Sequence, residues 1–230
     1  MELSQIKILV ACEESDEVRG RFESLGFDAW SCDIQPNRNP NAKHFQMDVL
    51  EVITMGWDAM IAFPPCTHLA ASGSQWFAEK QKDGRQQMAI DFFMAMINAP
   101  INQIAVENPI GIMSSQYRQP DQIVQPYFFG DPFTKTTCLW LKNFPLLYHN
   151  STPNLFDDVV THTSKGEFIE IVDKKTGKMK KMAKWYNDAF NGPKSLRSQT
   201  RSKTFPGIAE AMAKQWSQSI IQFKTKNGSR

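Results

Sequence analysis

Hydrophobic positions in the first half of the chain fall into short blocks that alternate between two rhythms. An apolar run over 7–12, closing on Leu9-Val10-Ala11-Cys12, predicts a short buried strand. The following stretch ESDEVRGRFESLG sets Val18, Phe22 and Leu25 at helical spacing, with Gly26 as a stop. FDAWSCDI (27–34) reads as a second strand ending at Asp33, and DVLEVITMGW carries a short helix. DAMIAF (58–63) reads as a third strand, broken at once by Pro64 and Pro65. A helix from Arg85 to Asn98 shares a face among Met88, Phe92, Ala95 and Met96, and INQIAVEN (101–108) makes a fourth strand. This alternation predicts an α/β fold with a mostly parallel, doubly wound sheet.

Beyond residue 110 the rhythm weakens. TKTTCLWL (134–141) predicts another strand, and FPLLYHNSTPNLF reads as loop. GEFIEIVDKKTGKMKKMAKW (166–185) predicts a β-hairpin with a DKKTG turn and a lysine-rich return strand. A final helix from Ile208 to Phe223 aligns Ala209, Met212, Ala213, Trp216 and Ile220. There is no internal repeat.

A length of 230 residues with 41% hydrophobic positions suits one domain and a small appendage. No apolar run reaches membrane-spanning length, and the N-terminus is acidic and polar, so a soluble, cytoplasmic protein is expected. Cys12, Cys32, Cys66 and Cys138 lack CxxC spacing, which argues against a zinc site or disulfide framework, and the four histidines are too dispersed to suggest a metal. The net charge of +2 conceals a division: residues 1–150 carry −6 and residues 151–230 carry +8. A basic remainder of that size fits a polyanionic partner, and it fits a lysine-rich solvated surface as well.

Doubly wound sheets bind ligands at the carboxyl ends of their strands. Five polar interruptions stand there: Cys12-Glu13-Glu14-Ser15, Asp33, Asp48, Pro64-Pro65-Cys66-Thr67 and Glu107-Asn108-Pro109. Cys66, pinned behind two prolines, is a candidate nucleophile if its thiol ionises, and a small buried hydrophobe otherwise. Glu107 at a strand end is a candidate proton donor, because burial raises a carboxyl's proton affinity; the plainer reading is a loop-capping glutamate. His68 stands near enough to Cys66 to tune it, and equally reads as a loop histidine. Trp76 and Phe77 fit either a flap or core anchors.

Taken in order, these segments resemble the cytosine-C5 DNA methyltransferases, in particular the compact versions of phage and prophage genomes. Ile8-Leu9-Val10-Ala11-Cys12-Glu13-Glu14-Ser15 is similar to the first cofactor motif. Cys32-Asp33-Ile34 resembles the acidic position on the ribose of S-adenosylmethionine, and Asp48-Val49 the position on its adenine. Phe63-Pro64-Pro65-Cys66 is similar to the nucleophile motif, with Pro64 beside the cofactor, and Glu107-Asn108-Pro109 to the Glu-Asn motif. The stretch 130–137, with Lys135, resembles the Gln-x-Arg-x-Arg motif, and 205–213 the last motif. The resemblance implies a Rossmann-like methyltransferase core over 1–150, a short basic DNA-facing insert over 151–200 and a C-terminal helix over 201–230 returning to the core. It implies attack of Cys66 on C6 of cytosine with Glu107 donating to N3, on a base flipped from duplex DNA or already single-stranded.

Three departures from the family pattern stand out. The first motif lacks glycine, Lys135 and Thr137 replace the two arginines of the Gln-x-Arg-x-Arg motif, and the stretch 138–204 is short for a recognition domain. A free pyrimidine nucleotide or RNA as substrate, and an inactive relative that binds nucleic acid or protein, therefore stay open. Lys174, Lys175, Lys178, Lys180, Lys181 and Lys184 cluster on the hairpin beside Trp185 and Tyr186, and Lys194, Arg197, Arg201 and Lys203 extend the strip. With the resemblance they are expected to meet phosphates and bases; without it they are a solvated edge.

Overall fold

The structure is a computed structural model that describes residues 2–149, 163–173, 177–193, 197 and 202–227. Its centre is a seven-stranded sheet in the order β3-β2-β1-β4-β5-β7-β6. The strands are β1 (Lys7–Ala11), β2 (Asp28–Asp33), β3 (His44–Gln46), β4 (Ala59–Ala62), β5 (Gln103–Pro109), β6 (Gln122–Val124) and β7 (Thr137–Lys142). From β3 to β5 every pairing is parallel; β7 runs antiparallel to β5, and β6 antiparallel to β7. This is a doubly wound, Rossmann-like sheet. The chain leaves β1 outward to β2 and β3, then crosses back to β4 on the other side, so the switch point of the topology opens between β1 and β4.

The strands form because both faces of the sheet are covered. All four residues of β4 and the last four of β1 are buried, which is why these segments read as unbroken apolar runs. Leu9 and Ala11 point into a cluster with Met60, Phe93, Met96 and Trp140. Ile8 and Val10, on the opposite pleat, are equally buried, as are Phe22, Met212 and Trp216. The helices are α1 (Arg19–Ser24), α2 (Val49–Val52), α3 (Phe77–Lys82), α4 (Arg85–Ile97), α5 (Met113–Gln116), α6 (Lys184–Asn191) and α7 (Pro206–Asn227).

The chain divides into two compact units. One comprises Met1–Val124, Thr136–Tyr148 and Ala209–Arg230; the other comprises Gln125–Lys135 and His149–Ile208. Within the first, α7 contributes Trp216, stacked on Phe144 at 4.8 Å between ring centroids, and Ser219, which accepts from Gln103 Nε2 at 2.9 Å. The second holds the hairpin β8 (Phe168–Val172) and β9 (Met179–Ala183), in register from Phe168↔Ala183 to Val172↔Met179.

Several element boundaries differ from the sequence expectation. α1 begins only at Arg19, because residues 12–18 are spent on a turn, and β7 begins at Thr137 rather than residue 134. β9 ends at Ala183, and Lys184 opens a helix instead of extending the strand. The three-residue edge strands β3 and β6 are too short to show an alternation. No helix among the described residues is long and apolar enough to cross a membrane.

Candidate active site

Parallel pairing brings the ends of β1, β2, β4 and β5 to one edge of the sheet, and the polar interruptions follow them there. The turn after β1 is built without glycine. Cys12 and Asp16 instead adopt positive φ, +58° and +67°, the left-handed conformation that a glycine would take without steric cost. Asp16 is held there by Arg19, whose Nη2 donates to it at 3.0 Å, and by Asn39 Nδ2 at 2.8 Å. Burial pushes the Asp16 carboxyl up, but these hydrogen bonds overcome it and leave the group below its ordinary range. Glu13 is buried beneath the turn and accepts the backbone N–H groups of Val18 at 2.7 Å and Arg19 at 3.1 Å, at the entrance to α1. Burial raises its carboxyl to about 7 despite those bonds. Ser15 Oγ donates to the same carboxylate at 3.3 Å.

Glu14 is tied to the segment after β2: its carbonyl accepts the Arg38 N–H at 2.8 Å and Oε1 meets Arg38 Nη2 at 2.5 Å. Its other oxygen, Oε2, is buried without a hydrogen-bond partner. Asp33 accepts the Gln35 N–H at 2.8 Å, and burial raises its carboxyl, with the Glu14 charge adding to the effect. Ile34 beside it is 75% exposed, an apolar side chain presented outward from a strand end. Asp48 caps α2 by accepting the Leu50 N–H at 2.9 Å, whereas Val49 turns inward and is buried. Burial, followed by the charges of Asp33 and Asp48, drives the Cys12 thiol far above its ordinary range. Those charges act on one thiol, which groups the ends of β1 and β2 and the start of α2 around a single acidic spot.

The segments after β4 and β5 are knitted together. Asn108, buried, donates from Nδ2 to the Pro64 carbonyl at 2.9 Å. Further out, the Ala71 N–H reaches the Ile110 carbonyl at 2.9 Å and the Ile112 N–H reaches that of Leu69 at 3.0 Å, around an antiparallel bridge between Ala70 and Gly111. Cys66 is thereby fixed at the head of a turn in which its carbonyl accepts the N–H groups of Leu69 and Ala70. Both Cys66 and Glu107 are half-buried. Glu107 pairs with Leu139 in the sheet, and its charge, after burial, contributes to raising the neighbouring Cys138 thiol to about 11. The arrangement sets a thiol on the turn after β4 and a carboxyl near the end of β5, cross-linked at the carboxyl edge of the sheet. Sequence reading missed Asn108 as the link, and the Asn37-Arg38-Asn39 strap onto the β1 turn; a run of polar residues after a strand end was the available signal.

In the second unit, Lys135 Nζ donates to the carbonyls of Lys203 at 2.8 Å and Ser202 at 3.4 Å. Lys180 pairs with Asp173 at 2.9 Å and Lys184 with Glu167 at 2.7 Å. Lys178 and Lys181 flank them on the exposed hairpin. Arg197 stands 5.6 Å over the Phe190 ring and donates to the Gly192 carbonyl at 3.0 Å. Lys174, Lys175, Lys194 and Arg201 lie outside the described residues. Trp185, at the end of the hairpin, is engaged within its own unit. Its ring packs on Phe205 at 5.6 Å and Phe133 at 6.2 Å, and its Nε1 donates to the Thr134 carbonyl, so it is an anchor of this unit's aromatic core.

No protein-family model matches the chain, and no curated protein matches it. Among solved structures, one described as a candidate DNA modification methyltransferase encoded within an E. coli prophage aligns with a TM-score of 0.44 at 18% identity, over 68% of this chain. The chain spans about half the length of that protein, 53% of it.

Proposed function

We propose that this chain is an S-adenosylmethionine-dependent methyltransferase acting on C5 of cytosine in DNA. The observation that carries the reading is the cross-linking of the Pro64-Pro65-Cys66 turn to the Glu107-Asn108-Pro109 end of β5 through Asn108 and, just beyond, the bridge at Gly111, at the edge where a doubly wound sheet takes its ligands. The edge also suits a nucleoside. In this reading Asp33 at the end of β2 meets the ribose hydroxyls, exposed Ile34 offers an apolar face to a base, and Asp48 at the start of α2 faces the adenine. The glycine-free turn fits as well, since Cys12 and Asp16 supply the left-handed backbone that the missing glycines would provide. Glu13 acts here as the support of that turn, with its carboxylate turned to α1, and Glu14 ties the turn to the segment after β2 through Arg38. Pro64, buried, is the residue to which Asn108 of β5 is bonded, and in this reading it lies beside the cofactor.

When bound, S-adenosylmethionine supplies an electrophilic methyl group. In this reading Cys66 adds through Sγ to C6 of the cytosine while Glu107 delivers a proton to N3, which makes C5 nucleophilic. After C5 is alkylated, loss of its proton to a base allows the S–C6 bond to break and the Cys66 thiolate to leave. The hairpin lysines with Arg197 contact phosphates, and Lys135 secures the Ser202 and Lys203 carbonyls within the same unit.

Incubation with labelled S-adenosylmethionine and DNA, RNA or dCMP, followed by nucleoside mass spectrometry, decides substrate and activity together. The expected product is 5-methylcytosine in DNA. DNA containing 5-fluorocytosine should trap the wild-type protein as a denaturation-resistant adduct and leave Cys66→Ser free. An adduct that persists in Cys66→Ser and disappears in Cys138→Ser would assign the nucleophile elsewhere.

A further inference from the structure

The turn that carries Cys66 is pinned from outside as well as from β5. Its first peptides have few donors of their own, because Pro64 and Pro65 lack N–H groups, and its successive carbonyls turn toward side chains. The Thr67 carbonyl accepts from Lys80 Nζ at 2.7 Å, and the His68 carbonyl from Gln86 Nε2 at 3.3 Å. Both donors come from the helix pair α3 and α4, and both are buried, Lys80 to 7% exposure and Gln86 to 4%. A buried ammonium is expensive to desolvate, and one carbonyl is small compensation for a group with three donors. No described carboxylate pairs with it. Arg85, at the start of α4, is taken up by Glu79 and Asp83. The Lys80 ammonium lies 6.0 Å from the Phe77 ring centroid, and a Cβ on Gly73 would come within 3.3 Å of it, so the chain closes over it.

A lysine held dry beside one carbonyl makes sense if its charge is used locally. Successive Cα atoms are about 3.8 Å apart, which keeps an ammonium bonded to the Thr67 carbonyl within about 9 Å of the Cys66 Cα. We propose that Lys80 is a positioning residue for the Cys66 nucleophile: it fixes the peptide that follows the cysteine and supplies the positive charge that favours its thiolate. This rests on the methyltransferase reading for its purpose, though not for its measurement. Other groups face the same loop: His68 within it, Glu79 and Asp83 paired with Arg85, and Glu107 from β5. Burial, then the Lys80 and Arg85 cations, hold the His68 imidazole below its usual range.

The test is the pH profile of Cys66 alkylation by iodoacetamide in the full chain, without DNA or cofactor, read by peptide mass spectrometry. Cys32 and Cys138, with thiols raised to about 11, serve as internal controls. Lys80→Met should move the Cys66 midpoint up by about one pH unit, and Lys80→Arg should restore it. Lys80→Gln keeps a donor for the Thr67 carbonyl while losing the charge, so it should show the same rise even if the methionine variant folds poorly. Gln86→Leu should leave the midpoint in place. Wild-type midpoints in both Lys80→Met and Lys80→Gln would overturn the proposal. Absence of a 5-fluorocytosine adduct in wild type would instead overturn the methyltransferase reading and leave the alkylation result standing.

Discussion

Glu13 shows how much of the site depends on single groups whose environment is set by neighbours remote from catalysis. Its carboxyl holds the start of α1 by accepting two backbone N–H groups, yet burial raises it from 4.5 to about 7. The folded state therefore binds this proton more tightly than the unfolded chain does. Its contribution to stability is full below pH 4.5 and is lost as the pH rises through about 7, a change of about 3 kcal/mol. Glu13→Gln should accordingly gain on wild type as the pH is raised from 5 to 8, measured by urea unfolding at each pH. A constant difference between the two proteins would show that the Val18 and Arg19 hydrogen bonds, not burial, govern the group. None of this is visible in the sequence, where Glu13 is one of two adjacent acids after an apolar run. Cys12 and Asp16 are similar cases: the missing glycines are legible, but their replacement by two strained residues depends on the contacts of Arg19 and Asn39.

At the scale of elements, the strands and long helices were legible because each buries whole faces, and continuous apolar runs follow from that. Their ends were less so. The return strand of the hairpin stops at Ala183 because Trp185 is drawn into an aromatic cluster with Phe133 and Phe205, residues far away in sequence. The contact between the Cys66 turn and the segment that continues β5 is likewise long-range, and it turns on Gly111. A Cβ there would lie 2.1 Å from the Leu69 carbonyl oxygen, so the two backbones meet only because this side chain is absent. Gly111→Ala should destabilise the protein by about 1–3 kcal/mol and, on the proposed function, slow trapping by 5-fluorocytosine DNA, because the displaced segment is the exit of the Cys66 turn. Unchanged unfolding midpoints and trapping rates would mean that the loops separate at little cost.

Across the whole molecule, charge is sorted along the chain, −6 in residues 1–150 and +8 in 151–230, and the structure shows that the second group is not uniform. Lys180 and Lys184 already face carboxylates, while none lies within ion-pair distance of Lys181 among the described residues. If the hairpin meets DNA phosphates, Lys181→Gln should lower the slope of log affinity against log salt by about one, and Lys184→Gln by less. Equal slopes in wild type and Lys181→Gln would make that lysine surface solvation only. The sequence by itself determined the alternation of strands and helices, the order of the polar interruptions at strand ends and the imbalance of charge, since each is written in local spacing and residue type. The tertiary structure alone decided which interruptions meet, which acids turn inward as caps, and which lysines are matched. Those outcomes come from sheet order and from contacts between residues distant in the chain, where burial and hydrogen-bond geometry, rather than local pattern, set the energy.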